Sequence, residues 1–186
     1  MNNAGTNATV SQDFEAANNA FDNQLADDFV VPGTEMWTVN QVAVSGVYFN
    51  GPGPAASFNV TFYSNAGGFP GAAVAGGTYT GLAYSNMGGI FTFSLPTPLV
   101  LPPGTYWVSV QARMDFTPGG EWGWTDRSVT SNNAAVWQNP GGGFGTPCTT
   151  YGRRGATCGI DAANPDQVFS IVGCTTGFDG PNVRRK

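Results

Sequence analysis

With 186 residues, 27 Gly, 13 Pro and only 10% charged residues, the chain reads as one domain of short strands joined by turns, poor in helix formers. Its net charge of -5 and its single Lys, at position 186, exclude the basic stripe that a nucleic-acid binder uses to displace counterions from phosphate. No apolar run approaches the roughly 20 residues that cross a bilayer as a helix, and the absence of His removes Ser-His-Asp and Cys-His catalysis and imidazole-built zinc sites.

Residues Met1–Ala20 are rich in Asn, Ala and Thr and read as an extended arm with room for one edge strand. Met1-Asn2-Asn3 has neither the basic nor the apolar region of a secretory signal, which fits a mature fragment carrying an added Met. Gln24 to Val31 is the first strand: Asp27, Phe29 and Val31 alternate with Ala26, Asp28 and Val30, and Pro32-Gly33 ends it. Trp37 to Asn50 is a longer one, whose apolar parity changes near Asn40-Gln41, the signature of a bulge or a crossing between sheets.

After the turn Gly51-Pro52-Gly53-Pro54, Phe58, Val60 and Phe62 alternate with Ser57, Asn59, Thr61 and Tyr63. Ala72–Ala75 and Thr78–Leu82 pair as short strands, and Ile90–Leu95 leads through Pro96 and Pro98 to Leu101. Past the Pro103-Gly104 turn, Tyr106, Val108, Val110 and Ala112 share one face, while Trp107, Ser109, Gln111 and Arg113 share the other. The turn at Thr117-Pro118-Gly119-Gly120 returns Trp122 and Trp124 beside this strand as an antiparallel neighbour, both facing the core with Tyr106 and Phe93. Ala134–Gln138 and Gln167–Gly173 supply two further strands, separated by a long loop that opens at Gly141-Gly142-Gly143. The pattern predicts an all-β, two-sheet antiparallel sandwich of jelly-roll type over residues 21–173, with residues 1–20 as an arm and 174–186 as a tail.

The three Cys are loop residues. Cys148 and Cys158 bracket a Gly/Thr-rich segment and are expected to form a disulfide, which favours an oxidising, extracellular setting; Cys174 lies beyond the last clear strand.

Four stretches carry a family resemblance. They are Ala26-Asp27-Asp28-Phe29-Val30-Val31-Pro32, Phe62-Tyr63-Ser64 with Gly67-Gly68-Phe69-Pro70-Gly71, Pro103 to Val110, and Asp166 to Gly173. Over about Phe21 to Gly173 the chain resembles bacterial secreted and cell-surface β-sandwich domains that serve as accessory modules of large exported proteins. The resemblance implies a secreted module, offers no catalytic residues to carry over, and departs from anchored members in lacking an apolar sorting tail.

The candidate chemistry is limited. The Gly-rich loops open no helix and are followed by no Lys, so they do not cradle phosphate. A carboxylate pair for glycoside hydrolysis would have to join Glu121 to Asp126 or Asp28. Asp27 and Asp28 project to opposite faces of a strand, and so do not line one catalytic pocket. Either Asp27 or Asp28 could instead join Asp22 or loop carbonyls around a structural calcium, so Asp22, Asp27 and Asp28 are the candidate ligands, and no other cofactor is expected. Trp107, on the face with Ser109, Gln111 and Arg113, and Trp137, Tyr63 and Tyr151, beside polar or Gly-rich segments, are expected to be partly exposed and to suit the apolar faces of sugar rings. Two functional readings follow. One is a non-catalytic extracellular module binding a glycan or a cell-surface protein through loops and exposed aromatics. The other is a structural subunit, self-associating by strand addition from the arm with Cys174 as a bridge; an enzyme ranks third.

Overall fold

The computed structural model describes residues 3–177. In chain order the strands are β1 (Ala4–Val10), β2 (Gln12–Asp13), β3 (Gln24–Val31), β4 (Glu35–Phe49), β5 (Ser57–Ala66), β6 (Phe69–Leu82), β7 (Ser85–Met87), β8 (Ile90–Leu101), β9 (Gly104–Arg113), β10 (Glu121–Arg127), β11 (Val136–Gln138), β12 (Gly152–Arg153), β13 (Asp166–Gln167) and β14 (Phe169–Gly177). The helical content is a 3-10 segment, Ala16–Phe21, and one turn, α1 (Phe116–Gly119).

Two seven-stranded sheets pack face to face, so the all-β sandwich expected from the alternation is what forms. The first runs β1-β10-β4-β8-β7, with β13 against β10 and β14 against β4; the second runs β12-β11-β3-β9-β5-β6, with β2 against β9. All pairings are antiparallel except the short β2–β9 contact. The core between the sheets is aromatic. Phe58 of β5 stands edge-on to Trp122 of β10 at 4.9 Å and lies 4.9 and 5.7 Å from Phe93 and Phe91 of β8. Ring edges meeting ring faces across the two sheets match opposite ends of the aromatic quadrupole, which adds directionality to the burial.

Several elements differ from the sequence reading. β10 does not lie beside β9; it belongs to the opposite sheet, paired with β1 and β4, because α1 carries the chain across the sandwich. The face assignment of Trp122 and Trp124 is nevertheless right, since both side chains are fully buried in the core. Within the stretch read as an arm, β1 is the edge strand of the first sheet, paired with β10, and β2 adds a short contact with β9. At the other end β14 continues through Cys174 to Gly177, where a tail was expected, while residues 178–186 lie outside the described region. β8 runs through Pro96 and Pro98 because its register against β4 shifts there, between Val39 and Gln41 of β4. Proline has no ladder donor, and a bulge is where a strand can hold it. That shift sits at the parity change read near Asn40-Gln41.

The second sheet also buries part of its outer face. Ala26, Trp107 and Val136 form a small apolar cluster there, flanked by Tyr63, Phe69 and Tyr151. Arg153 closes it, with its guanidinium carbon 4.3 Å from the Phe69 ring centre and 5.7 Å from that of Trp107. Its nitrogens donate to the carbonyls of Ala134 (2.6 Å) and Gly68 (2.7 Å). Trp107 is therefore 0% exposed although it lies on the outer face as the alternation requires. Replacing it with Ala should cost about 3–5 kcal/mol of unfolding free energy, the loss typical of a buried Trp. Urea unfolding at constant m-value measures this, and a change within about 0.5 kcal/mol, as for an exposed ring, would contradict the burial.

Candidate functional site

The aromatics singled out by sequence do not form an exposed platform. Trp107 is buried as described, with Nε1 donating to Asn65 Oδ1 at 3.0 Å. Trp137, 1% exposed, points into the main core rather than outward; its Nε1 donates to the Val10 carbonyl at 3.0 Å. Tyr63 and Tyr151 are half-buried and meet edge to face at 6.1 Å beside the Arg153 lid. Only these two of the four retain surface.

The carboxylates are likewise dispersed. Asp22 Oδ1 accepts from the Phe14 amide at 2.8 Å, a backbone-holding role. About five residues of extended chain, on the order of 16 Å, separate it from Asp27. Asp27 points between the sheets and accepts from the Gln167 amide (2.7 Å) and the Asp28 amide (2.8 Å). Asp28, on the outer side, accepts from Asn133 Nδ2 at 2.6 Å. The expected calcium set of Asp22, Asp27 and Asp28 is thus not assembled, and among the described residues no three acidic, Cys or His side chains meet in a way that would hold a metal ion. Glu121 and Asp126 stand five positions apart on one strand and so face opposite ways. Glu121 accepts from Asn50 Nδ2 at 2.6 Å, whereas Asp126 is fully buried against Arg154 Nη1 at 2.8 Å. No pair suited to glycoside hydrolysis results from them.

One end of the sandwich is a buried charged cluster. Arg154 and Asp126 are joined by Thr9, whose hydroxyl receives from Arg154 Nη1 and donates to Asp126. Arg154 also donates to the Asn164 carbonyl. Burial outweighs the Arg154 charge and pushes the Asp126 carboxyl up to about 6. Asp166 is also raised to about 6 by burial, against hydrogen bonds from Ser131 and the charge of Arg127. Asp27 is held well above the usual range by burial and then by the neighbouring Asp166 charge.

The other end carries a feature the sequence reading missed. Phe14, Phe21, Phe116 and Phe144, with Asn18 and Glu121, wall a cavity of about 400 Å³. The rings come as two pairs: Phe14–Phe116 with centres at 6.4 Å, and Phe21–Phe144 edge to face at 5.4 Å. Phe21 and Phe116 are 38% and 40% exposed, unusual for rings that have core available elsewhere. Three of the four rings are held from behind. Asp22 accepts the Phe14 amide, Glu15 Oε2 accepts the Phe116 amide at 2.8 Å, Asn139 Oδ1 accepts the Phe144 amide at 3.0 Å, and Trp137 backs Phe144 at 5.8 Å. The α1 turn is closed by the Gly120 amide donating to the Phe116 carbonyl at 2.7 Å. Gly120 takes a positive φ of 82° against the backbone of Asn50 and Gly51, where a side chain would collide. The one signal in the sequence is that Phe14 lies between Asp13 and Glu15 and Phe116 follows Asp115, which places rings in acidic turns rather than in alternating strands.

Compared with known proteins, the chain matches no family model and no curated sequence.

The charged end predicts a pH dependence. A carboxyl whose folded pKa lies above its ordinary 3.8 holds its proton more tightly in the folded state. Its contribution to stability is therefore present below about 4 and is lost as pH rises through about 6. Glu15 and Asp161 are shifted downward and act only at lower pH. Urea midpoints should fall between pH about 4.5 and 7. A midpoint that rises across this window would show that Asp126 and Asp166 are not proton-retaining in the folded state.

Proposed function

We propose that the chain is a non-catalytic, extracellular binding module that takes its ligand at the Phe-walled end of the sandwich. The observation that carries this reading is the cavity itself: half-exposed Phe21 and Phe116 are pre-positioned around about 400 Å³ of mainly apolar space. Exposed rings held by backbone hydrogen bonds lose little entropy on binding, and loops on a rigid scaffold are where binding residues concentrate. The Cys148–Cys158 disulfide supports an oxidising compartment, and among the described residues no helix is long and apolar enough to cross a membrane. A role as an accessory module of a larger exported protein agrees with the sequence resemblance.

The cavity favours a ligand group with few hydroxyls over a sugar ring. Its polar lining is confined to Asn18 and Glu121, both already hydrogen-bonded to protein. A glycan would find better company at Tyr63 and Tyr151, so the two ligand classes map to different parts of the surface, an end and an outer face.

The structural-subunit reading keeps one supporting observation. Among the described residues β14 pairs only with β4, and residues 172–177, including Cys174, are exposed, leaving an uncharged strand edge. Strand addition by residues 1–20 would require β1 to leave β10.

Screening small organic probes by backbone amide shifts, alongside a glycan array, tests the main reading. Shifts should concentrate at Phe14, Phe21, Phe116 and Phe144. A Phe21→Ala/Phe116→Ala double variant should lose more than about 1 kcal/mol of binding energy while its melting temperature stays near wild type. Glycan binding that survives the double variant and disappears in Tyr151→Ala would move the site to the outer face.

A further inference from the structure

The chemistry of the Phe-walled cavity narrows its ligand further, on the premise that this cavity is the binding site. We propose that it binds a quaternary ammonium group, the charged end of a choline-type small molecule.

The walls supply the attraction. Four rings, arranged as two pairs, line the space, and a cation that settles over the face of a ring is drawn by its quadrupole, most effectively where water is excluded. The local charge has the matching sign. Glu121 lines the cavity, and neither Lys nor Arg does. Glu15 stands one hydrogen bond behind the wall: its Oε1 accepts from Asn18 Nδ2 at 2.6 Å and its Oε2 accepts from the Phe116 amide. That backbone bond lowers its pKa and keeps it anionic.

Hydrogen bonding selects the type of cation. A primary ammonium or a guanidinium brings three to five N–H donors, each costly to strand in an apolar space. The cavity lining offers side-chain acceptors only on Asn18 and Glu121, and Glu121 Oε2 is engaged by Asn50; behind the wall, one oxygen of Glu15 accepts from Asn18 Nδ2 and the other from the Phe116 amide. A quaternary ammonium has no N–H, so it enters without leaving donors unpaired. A phosphate on the same molecule would stand near the carboxylate of Glu121 in the lining and that of Glu15 behind it, and like charges disfavour it. The ligand is accordingly choline-like rather than phosphocholine-like.

The experiment compares choline with 3,3-dimethylbutan-1-ol, its neutral isostere, and with phosphocholine, by titration of backbone amide shifts on the whole chain. Choline should bind about tenfold or more tightly than the alcohol, the increment expected of a desolvated cation–π site. It should also bind more tightly than phosphocholine. Glu121→Gln, which preserves the acceptor for Asn50, and Phe116→Ala, at a half-exposed position, should each weaken choline by about fivefold or more at unchanged melting temperature. Equal affinity for choline and the alcohol would overturn the ammonium assignment while leaving an apolar binding site in place. No shift from choline would also overturn it, and the binding-site reading would then rest on the organic-probe screen alone. Tighter binding of an N-trimethyl-lysine peptide than of choline would overturn the small-molecule source.

Discussion

The ion pair between Arg154 and Asp126, both without solvent contact, ties the two sheets together at one end of the sandwich. Arg154 follows β12, at the edge of the second sheet, and its partners Asp126 and Thr9 lie on β10 and β1 of the first. Taking two charges out of water is costly, and the attraction offsets that only where remaining donors and acceptors are met. Thr9 and the Asn164 carbonyl meet some of them, whereas Arg154 Nε and one oxygen of Asp166 have no partner among the protein atoms. The region is thus specific but incompletely satisfied, and it is chiefly burial that makes its carboxyls retain protons.

Adjacent arginines do different work because a strand sends neighbours to opposite sides. Arg154 turns into the sandwich, while Arg153 lies flat over Phe69 and Trp107 on the outer face. Between them they fix the loop that follows β11, and the Cys148–Cys158 bridge shortens what remains free. In the unfolded chain such a bridge removes loop entropy, so the covering of the outer face needs less burial to be stable.

Local alternation made much of this legible. β3 has the bounds read from sequence, the pattern of Phe58, Val60 and Phe62 is the core face of β5, and the disulfide joins the cysteines that bracket their loop. Periodicity reports which residues share a face, not what covers that face. Trp107 shows the gap: its outward parity was right, but its burial comes from Arg153, 46 positions later, and from residues of four other strands. The same limit hid which sheet holds β10, since a strand pairing across or beside β9 has identical alternation. The four phenylalanines escaped notice for a related reason. They lie outside the strands in three separate segments, around residues 14–21, at Phe116 and at Phe144, and only the folded chain gathers them.

The two ends of the sandwich divide stability from recognition. At the charged end, most polar atoms are buried against partners inside the protein, and the surface beside them is lined largely by polar and charged side chains. At the phenylalanine end the reverse holds: apolar rings stay partly in water, at a cost the fold could have avoided by closing the cavity. The backbone bonds from Phe14, Phe116 and Phe144 to Asp22, Glu15 and Asn139 prevent that closure by fixing where each ring begins. Three polar side chains thereby hold open an apolar space, and a ligand that fills it recovers the burial the empty cavity forgoes without having to order its walls.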